Sequence, residues 1–235
     1  MALDFGMIEK LRAVVHAIFA FAFIWVAFNE WGYIPREMLP IPNSEISKIG
    51  FLTIINLYVQ IVYHQMAAII AIFSVTVWLK TFHTVSTALV FPLSLAVTVL
   101  FWSLFLMDPK TLVAEEFQEK FQVNSWHNHG MHTLPAIAML TDFLLWNHER
   151  LVTKARAFKI IISFVILYIF DIYTINAISG KWVYPILGLF SPTGRLIFFS
   201  ACTCLIFGIF VVGDAYNALI GKLWRKAKII HDKTS

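Results

Sequence analysis

Six apolar runs, at 11–28, 50–79, 84–107, 126–146, 157–178 and 195–220, are separated by short polar stretches. A helix needs roughly 20 apolar residues to cross hydrocarbon, and the runs match that length. Lipid offers no partner to an exposed peptide group, and none of the runs alternates as barrel strands do, so all six are expected to be helices. The run at 50–79 is longer than a bilayer requires and has to tilt, kink or extend beyond it. The expected architecture is all-α, a single polytopic bundle of six transmembrane helices over residues 1–235 with no separate soluble domain.

Two polar stripes interrupt the apolar pattern. Thr53, Asn56, Gln60 and His64 follow one another at spacings of three, four and four, which places them on one helix face turned into the bundle. The stretch WHNHGMHTLPAIAML, from Trp126 to Leu140, carries three of the eight histidines within six residues, where a polar loop becomes an apolar run. His129, His132 and Thr133 share a face there by the same rule. Histidine titrates near working pH, and ionisable groups inside a membrane segment mark functional sites.

Composition agrees with the pattern. The chain is 59% hydrophobic and 14% charged, with a mean hydropathy of +0.75, where soluble domains carry roughly a quarter charged residues. The net charge of +4 forms no continuous basic face, so it points to membrane topology and not to nucleic acid. Of the 18 Lys and Arg, 12 fall on the side of the N-terminus and 6 on the other. The positive-inside rule then puts both termini in the cytosol. The first run has no small-residue cleavage site after it and is expected to be an uncleaved anchor. Cys202 and Cys204 diverge on a helix and do not pair. The segment EEFQEKFQ in the third loop reads as a short interfacial helix, with Phe117 and Phe121 facing lipid. The endoplasmic reticulum and the plasma membrane both fit, and the tail HDKTS carries no clear retrieval signal.

With that topology, Thr53 lies about 5 Å and His132 about 9 Å below the starts of their helices, in the same leaflet. Asp171 arrives at a similar level from the opposite direction. Asp142 and Asp214 fall at the cytosolic ends of their runs and are expected to be solvated or paired with basic loops. His64 and Gln65 are expected deeper on the interior face. A threonine and a histidine are the minimum for acyl transfer, because the weak hydroxyl nucleophile needs an adjacent base. Asn56, Asn128 and His129 are candidate oxyanion donors, and Asp171 is a candidate orienting acid.

Other readings remain open on the residues alone. Thr, Asn and Gln commonly serve only as interhelical hydrogen-bond glue, worth about 0.6 kcal/mol each, as in a non-enzymatic regulatory or scaffold protein. His127, His129 and His132 offer nitrogen ligands, with Asp142 or Glu116 as oxygens, for a metal-dependent lipid enzyme. Against that, His127 and His129 diverge on a helix. No GxSxG elbow, phosphate-binding glycine loop, HExxH or paired CxxC is present.

Four stretches resemble a known family. They are GFLTIINLYVQIVY from Gly50, WHNHGMHTLP from Trp126, SGKWVYPILGLFSPTGRLIFF from Ser179 and VVGDAYNALI from Val211. In order and spacing they are similar to the androgen-induced membrane proteins that hydrolyse fatty acid esters of hydroxy fatty acids. The resemblance implies a membrane threonine hydrolase without a cofactor, acting on lipid esters drawn from the bilayer, with Thr53 as nucleophile and His132 as base. An acid at the position of Asp171 and a histidine at that of His127 both depart from the family's pattern. That leaves the Thr53–His132 dyad to stand without a third member.

Overall fold

The computed structural model describes residues 5–30, 34–113, 125–146, 148, 150 and 152–234. Among them every regular element is helical. Helix α1 (Phe5–Glu30) leads through two 3-10 turns, Arg36–Met38 and Glu45–Gly50, into α2 (Leu52–Phe73). Helix α3 (Leu79–Val85) continues through a π-helical stretch, Ser86–Val90, into α4 (Phe91–Met107). The remaining helices are α5 (Ser125–His132), α6 (Leu134–Leu145), α7 (Lys154–Ser179), α8 (Pro185–Leu189) and α9 (Pro192–Thr234).

Local chemistry sets several boundaries. Ser74 adopts a left-handed conformation, φ 50°, and ends α2 at Phe73, so the long run predicted to reach 79 stops six residues early. The next helix starts at Leu79 instead of 84. Pro92 has no N–H to give to the preceding turn, and the helix widens to a π turn before it without breaking. Helix α7 is bounded as its sequence demands: the Thr153 side chain accepts from the Arg156 N–H at one end, and Gly180, φ 71°, closes the other.

Among the described residues five helices are long and apolar enough to cross a membrane: Met7–Glu30, Leu52–Phe73, Leu79–Met107, Lys154–Ser179 and Pro192–Lys226. The predicted fourth span, 126–146, is instead two shorter helices, α5 and α6, that meet at Thr133. Thr133 N still bonds His129 O at 2.9 Å, but Pro135 cannot donate to the turn before it, which divides the run. Phe21, Phe28, Leu167, Phe170, Leu196 and Val212 project outward from α1, α7 and α9. Apolar exposure on that scale suits a lipid-facing surface. The helix read from EEFQEKFQ, with Glu116, lies outside the described residues.

Helices α1 and α2 pack along their length, with Phe23, Val26, Ile54 and Leu57 buried between them and against Met131 of α5 and Ala138 of α6. Gly130 makes the α5 contact possible, since a Cβ there would lie 2.7 Å from Val26 Cγ2. Each end of the bundle is tied by its own polar contacts. At the end holding the start of α1, Arg12 donates to Leu145 O, Trp224 donates to Leu144 O, and Arg150 pairs with Asp214. At the other end Lys48 bridges Glu30 and Glu45 at 3.2 Å each, and Arg195 lies over the Trp182 ring.

Candidate active site

Thr53 lies in the first turn of α2, half-buried, and its surroundings follow from the chain reversal ahead of α8. That reversal brings Tyr184 over the helix start, where its hydroxyl accepts from the Leu52 N–H at 3.0 Å and shares a hydrogen bond with the Thr53 side chain. Burial pushes the Tyr184 phenol above its ordinary range, so it keeps its proton. Tyr168 of α7 donates to Gly50 O at 2.9 Å and fixes the approach to α2 from the other side.

These groups face a cavity of about 100 Å³, with a floor made by α4, α7 and α9. Thr53, Tyr168, Tyr184 and Cys202 are its polar or reactive side chains, and Phe101, Leu104 and Phe198 are typical of the rest. A single water needs roughly 10–15 Å³ and two or more polar partners, so the space is ample but its walls suit hydrocarbon better than water.

His132 closes α5 and reaches this cavity indirectly. Its Nδ1 donates to Asn128 O at 2.9 Å, which leaves Nε2 as the acceptor. The ring stacks on Phe101, with centroids 3.3 Å apart and planes 10° from parallel, and Phe101 is part of the cavity wall. Thr53 and His132 are therefore not hydrogen-bonded to each other; Phe101 lies on the His132 side of the cavity and Thr53 on the α2 side.

The other sequence-derived candidates are dispersed. Asn128 is buried, and its backbone carbonyl accepts from His132. His129 is exposed and bonds Thr133 Oγ1 at 2.9 Å, a hydroxyl that also accepts from Trp102. Asn56 is fully buried, with its side-chain amide 3.3 Å from the Ser94 hydroxyl, inward of the cavity. Asp171 lies on α7 near Tyr168 and makes no bond to His132. Among the described residues no group of three or more His, Cys, Asp or Glu has metal-holding geometry, and the rings of His129 and His132 engage separate partners.

The stripe on α2 does turn inward, with Asn56, Gln60 and His64 all at 0% exposure, whereas Gln65 is exposed. Asp142 requires a correction. It is not solvated at a helix end: it is fully buried and meets Tyr63 at 2.7 Å, His148 at 2.8 Å and His16 at 3.3 Å. Of the arginines at that end, Arg12 is used by Glu9 and Leu145 O and Arg150 by Asp214, and the acid is met by histidines and Tyr63 instead. Asp214 does pair with a loop arginine, Arg150. His16, His83 and His148 were missed as a group. The available signal was three histidines lying singly in or beside apolar runs that also hold one acid.

A model of the FAR-17a/AIG1-like protein family matches residues 11–218, most of the chain. The chain belongs to that family. The androgen-dependent TFPI-regulating protein of Mus musculus is 29% identical over 174 residues, covering 71% of this chain and 74% of its own. The androgen-induced gene 1 protein of Homo sapiens is 28% identical over 132 residues, 56% of this chain and 54% of its own. A UPF0641 membrane protein of Schizosaccharomyces pombe is 21% identical over 202 residues, 86% of each. No solved structure matches the chain. The family match spans three of the four stretches that carried the resemblance and most of the fourth, and supports an integral multi-pass membrane protein.

Proposed function

We propose that this family member is a membrane-embedded lipid ester hydrolase that cleaves fatty acid esters of hydroxy fatty acids through Thr53, with His132 as general base and no cofactor. The observation that carries the reading is a threonine hydroxyl, held by the Tyr184 phenol, in the wall of a largely apolar cavity. Acyl chains that partition into lipid suit those walls. In the reaction Thr53 Oγ bonds to the ester carbonyl carbon, His132 Nε2 takes the hydroxyl proton and returns it to the departing alkoxide, and water then cleaves the acyl-threonine. His132 stacks on Phe101 and is not bonded to Thr53 in the structure, so the reaction requires the two side chains to come within hydrogen-bond reach. Tyr184, which keeps its proton, is placed to donate to the oxyanion, a role for which Asn56, Asn128 and His129 are the further candidates.

In this reading α5 and α6 together make the fourth of six passes, both termini are cytosolic, and the membrane is the endoplasmic reticulum or the plasma membrane. A regulatory role without turnover is the second reading, favoured by the name of the mouse relative. Hydrolysis of a branched fatty acid ester by membranes holding equal amounts of wild type, Thr53→Ala and His132→Ala separates the two. Loss in both variants supports the dyad; full activity in both overturns it.

A further inference from the structure

The bundle holds a second polar site that the ester reading does not use. It lies about 16 Å along α2 from Thr53, at His64. Four histidines and one aspartate converge there from α1, α2, α3 and α6 and the residues just after α6, each no more than 3% exposed. His83 Nδ1 meets His148 Nδ1 at 2.9 Å, His148 Nε2 meets Asp142 Oδ2 at 2.8 Å, His16 Nε2 faces Asp142 Oδ1 at 3.3 Å, and His16 Nδ1 meets His64 Nδ1 at 2.8 Å. The string ends where His64 Nε2 meets Gln60 Oε1 at 3.2 Å.

Counting protons along this string decides what it binds. The Gln60 amide orientation is set by Ser94, whose hydroxyl donates to Val90 O at 2.6 Å and therefore accepts from Gln60 Nε2, also at 2.6 Å. Gln60 Oε1 is thus an acceptor, and the His64 nitrogen facing it must carry hydrogen. Three contacts, Gln60–His64, His64–His16 and His16–Asp142, each need one proton between their facing atoms. Two neutral imidazoles supply two. His16 Nε2 and Asp142 Oδ1 are both buried, neither makes a hydrogen bond among the described residues, and they face each other at 3.3 Å as a potential ion pair, so without a third proton two lone pairs would lie against each other in a dry interior. On the other arm the ring contacts His83–His148 and His148–Asp142 are served by two neutral rings, and Ser86, which touches Tyr63, His148 Nε2 and Asp142 Oδ2, brings a hydroxyl proton of its own, as does Tyr63.

We infer that Asp142, His16 and His64 form a buried site that binds one proton beyond the neutral rings. The proton rests on His64, on His16 or on the carboxyl, and moves between them as each N–H or O–H bond breaks and its neighbour forms. The bound proton makes the acid and its rings neutral overall, which is the state a low-dielectric core favours. The contacts of 2.8 and 2.9 Å between ring nitrogens are hydrogen-bond lengths with the facing lone pairs occupied by a proton, not an arrangement open to a metal. The remaining titratable and charged groups around the site are Tyr63, which donates to Asp142, and Arg12, which lies over Trp146 and is engaged by Glu9. His83 ends the other arm in α3, near Lys80 and that end of the bundle. The inference stands independently of the ester reading.

The test uses the full chain in phosphatidylcholine vesicles, with 15N-labelled histidine, by solid-state NMR and infrared spectroscopy at about pH 9, two to three units above an ordinary histidine. One doubly protonated ring, or a protonated-carboxyl band, is expected in the wild type. Both are lost in Asp142→Asn, whose side-chain N–H supplies the third hydrogen without a charge. The wild-type result stands by itself if that variant does not fold. Four singly protonated cluster rings with no carboxyl band, an imidazolium that persists in Asp142→Asn, or a stoichiometric transition metal in the purified protein overturns the inference.

Discussion

Helix α2 passes two very different polar environments. At Thr53 the neighbours are a cavity and apolar walls, with one phenol as partner. At His64 the space is filled by Tyr63, Phe82, Trp146 and the histidines, and nearly every polar atom is bonded to another. A polar group beside empty space is available to something that enters. A polar group in a filled interior is committed to its neighbours, and its worth lies in mutual satisfaction and charge balance. The same inward stripe thus carries a candidate for chemistry at one end and a proton-holding network at the other.

Breaking each region should have different consequences. Thr53→Ala removes the proposed nucleophile and should lower ester hydrolysis at least about 10³-fold, and His132→Ala about 10²- to 10⁴-fold, the usual span for a general base. Thr53→Ala should not move the melting temperature much, because Thr53 borders a cavity and is not packed on all sides, whereas His132→Ala also loses the stack on Phe101 and the bond to Asn128 O. Asp142→Ala should do the reverse. It strands His16, His148 and Tyr63 in a dry core and should cost about 3–5 kcal/mol of stability, read as a large drop in melting temperature in detergent. A melting temperature unchanged by Asp142→Ala would mean that the buried network is not holding the bundle.

Smaller changes sharpen the comparison. Gly213→Ala places a Cβ 2.5 Å from the Phe91 ring, which is stacked on Phe143 and has little room to give. It should cost about 1–3 kcal/mol in a thermal melt and leave the Thr53 region intact. Tyr184→Phe keeps the ring and loses the bonds to Leu52 and Thr53. About 1 kcal/mol of stability should go, with a fall in turnover but not in substrate affinity if the phenol supports the oxyanion.

The two regions were not equally legible in the sequence. The α2 stripe could be read from spacing alone, because a single face with Thr53, Asn56, Gln60 and His64 has only the bundle interior to turn to. The run at 126–146 concealed its break, since its hydropathy is continuous and only Pro135 marks the lost hydrogen bond. Asp142 was misplaced for a related reason: depth along one helix does not reveal what the other helices bring to that level, and its partners Tyr63 and His16 are far from it in the chain. The phenol at Thr53 was hidden likewise, since Tyr184 reaches α2 only through the reversal before α8. Nothing in the spacing indicated that His132 would stack on Phe101 of the cavity wall.

The most direct test of the central claim is to locate the nucleophile. Wild type, Thr53→Ala and Cys202→Ser are treated in membranes with a fluorophosphonate probe, and the modified residue is mapped by mass spectrometry. Cys202 is the other potential nucleophile in the same wall, so its variant is the matched control. The account predicts an adduct on Thr53 in the wild type and in Cys202→Ser, and none in Thr53→Ala. No adduct in the wild type, or labelling that persists in Thr53→Ala, would contradict it.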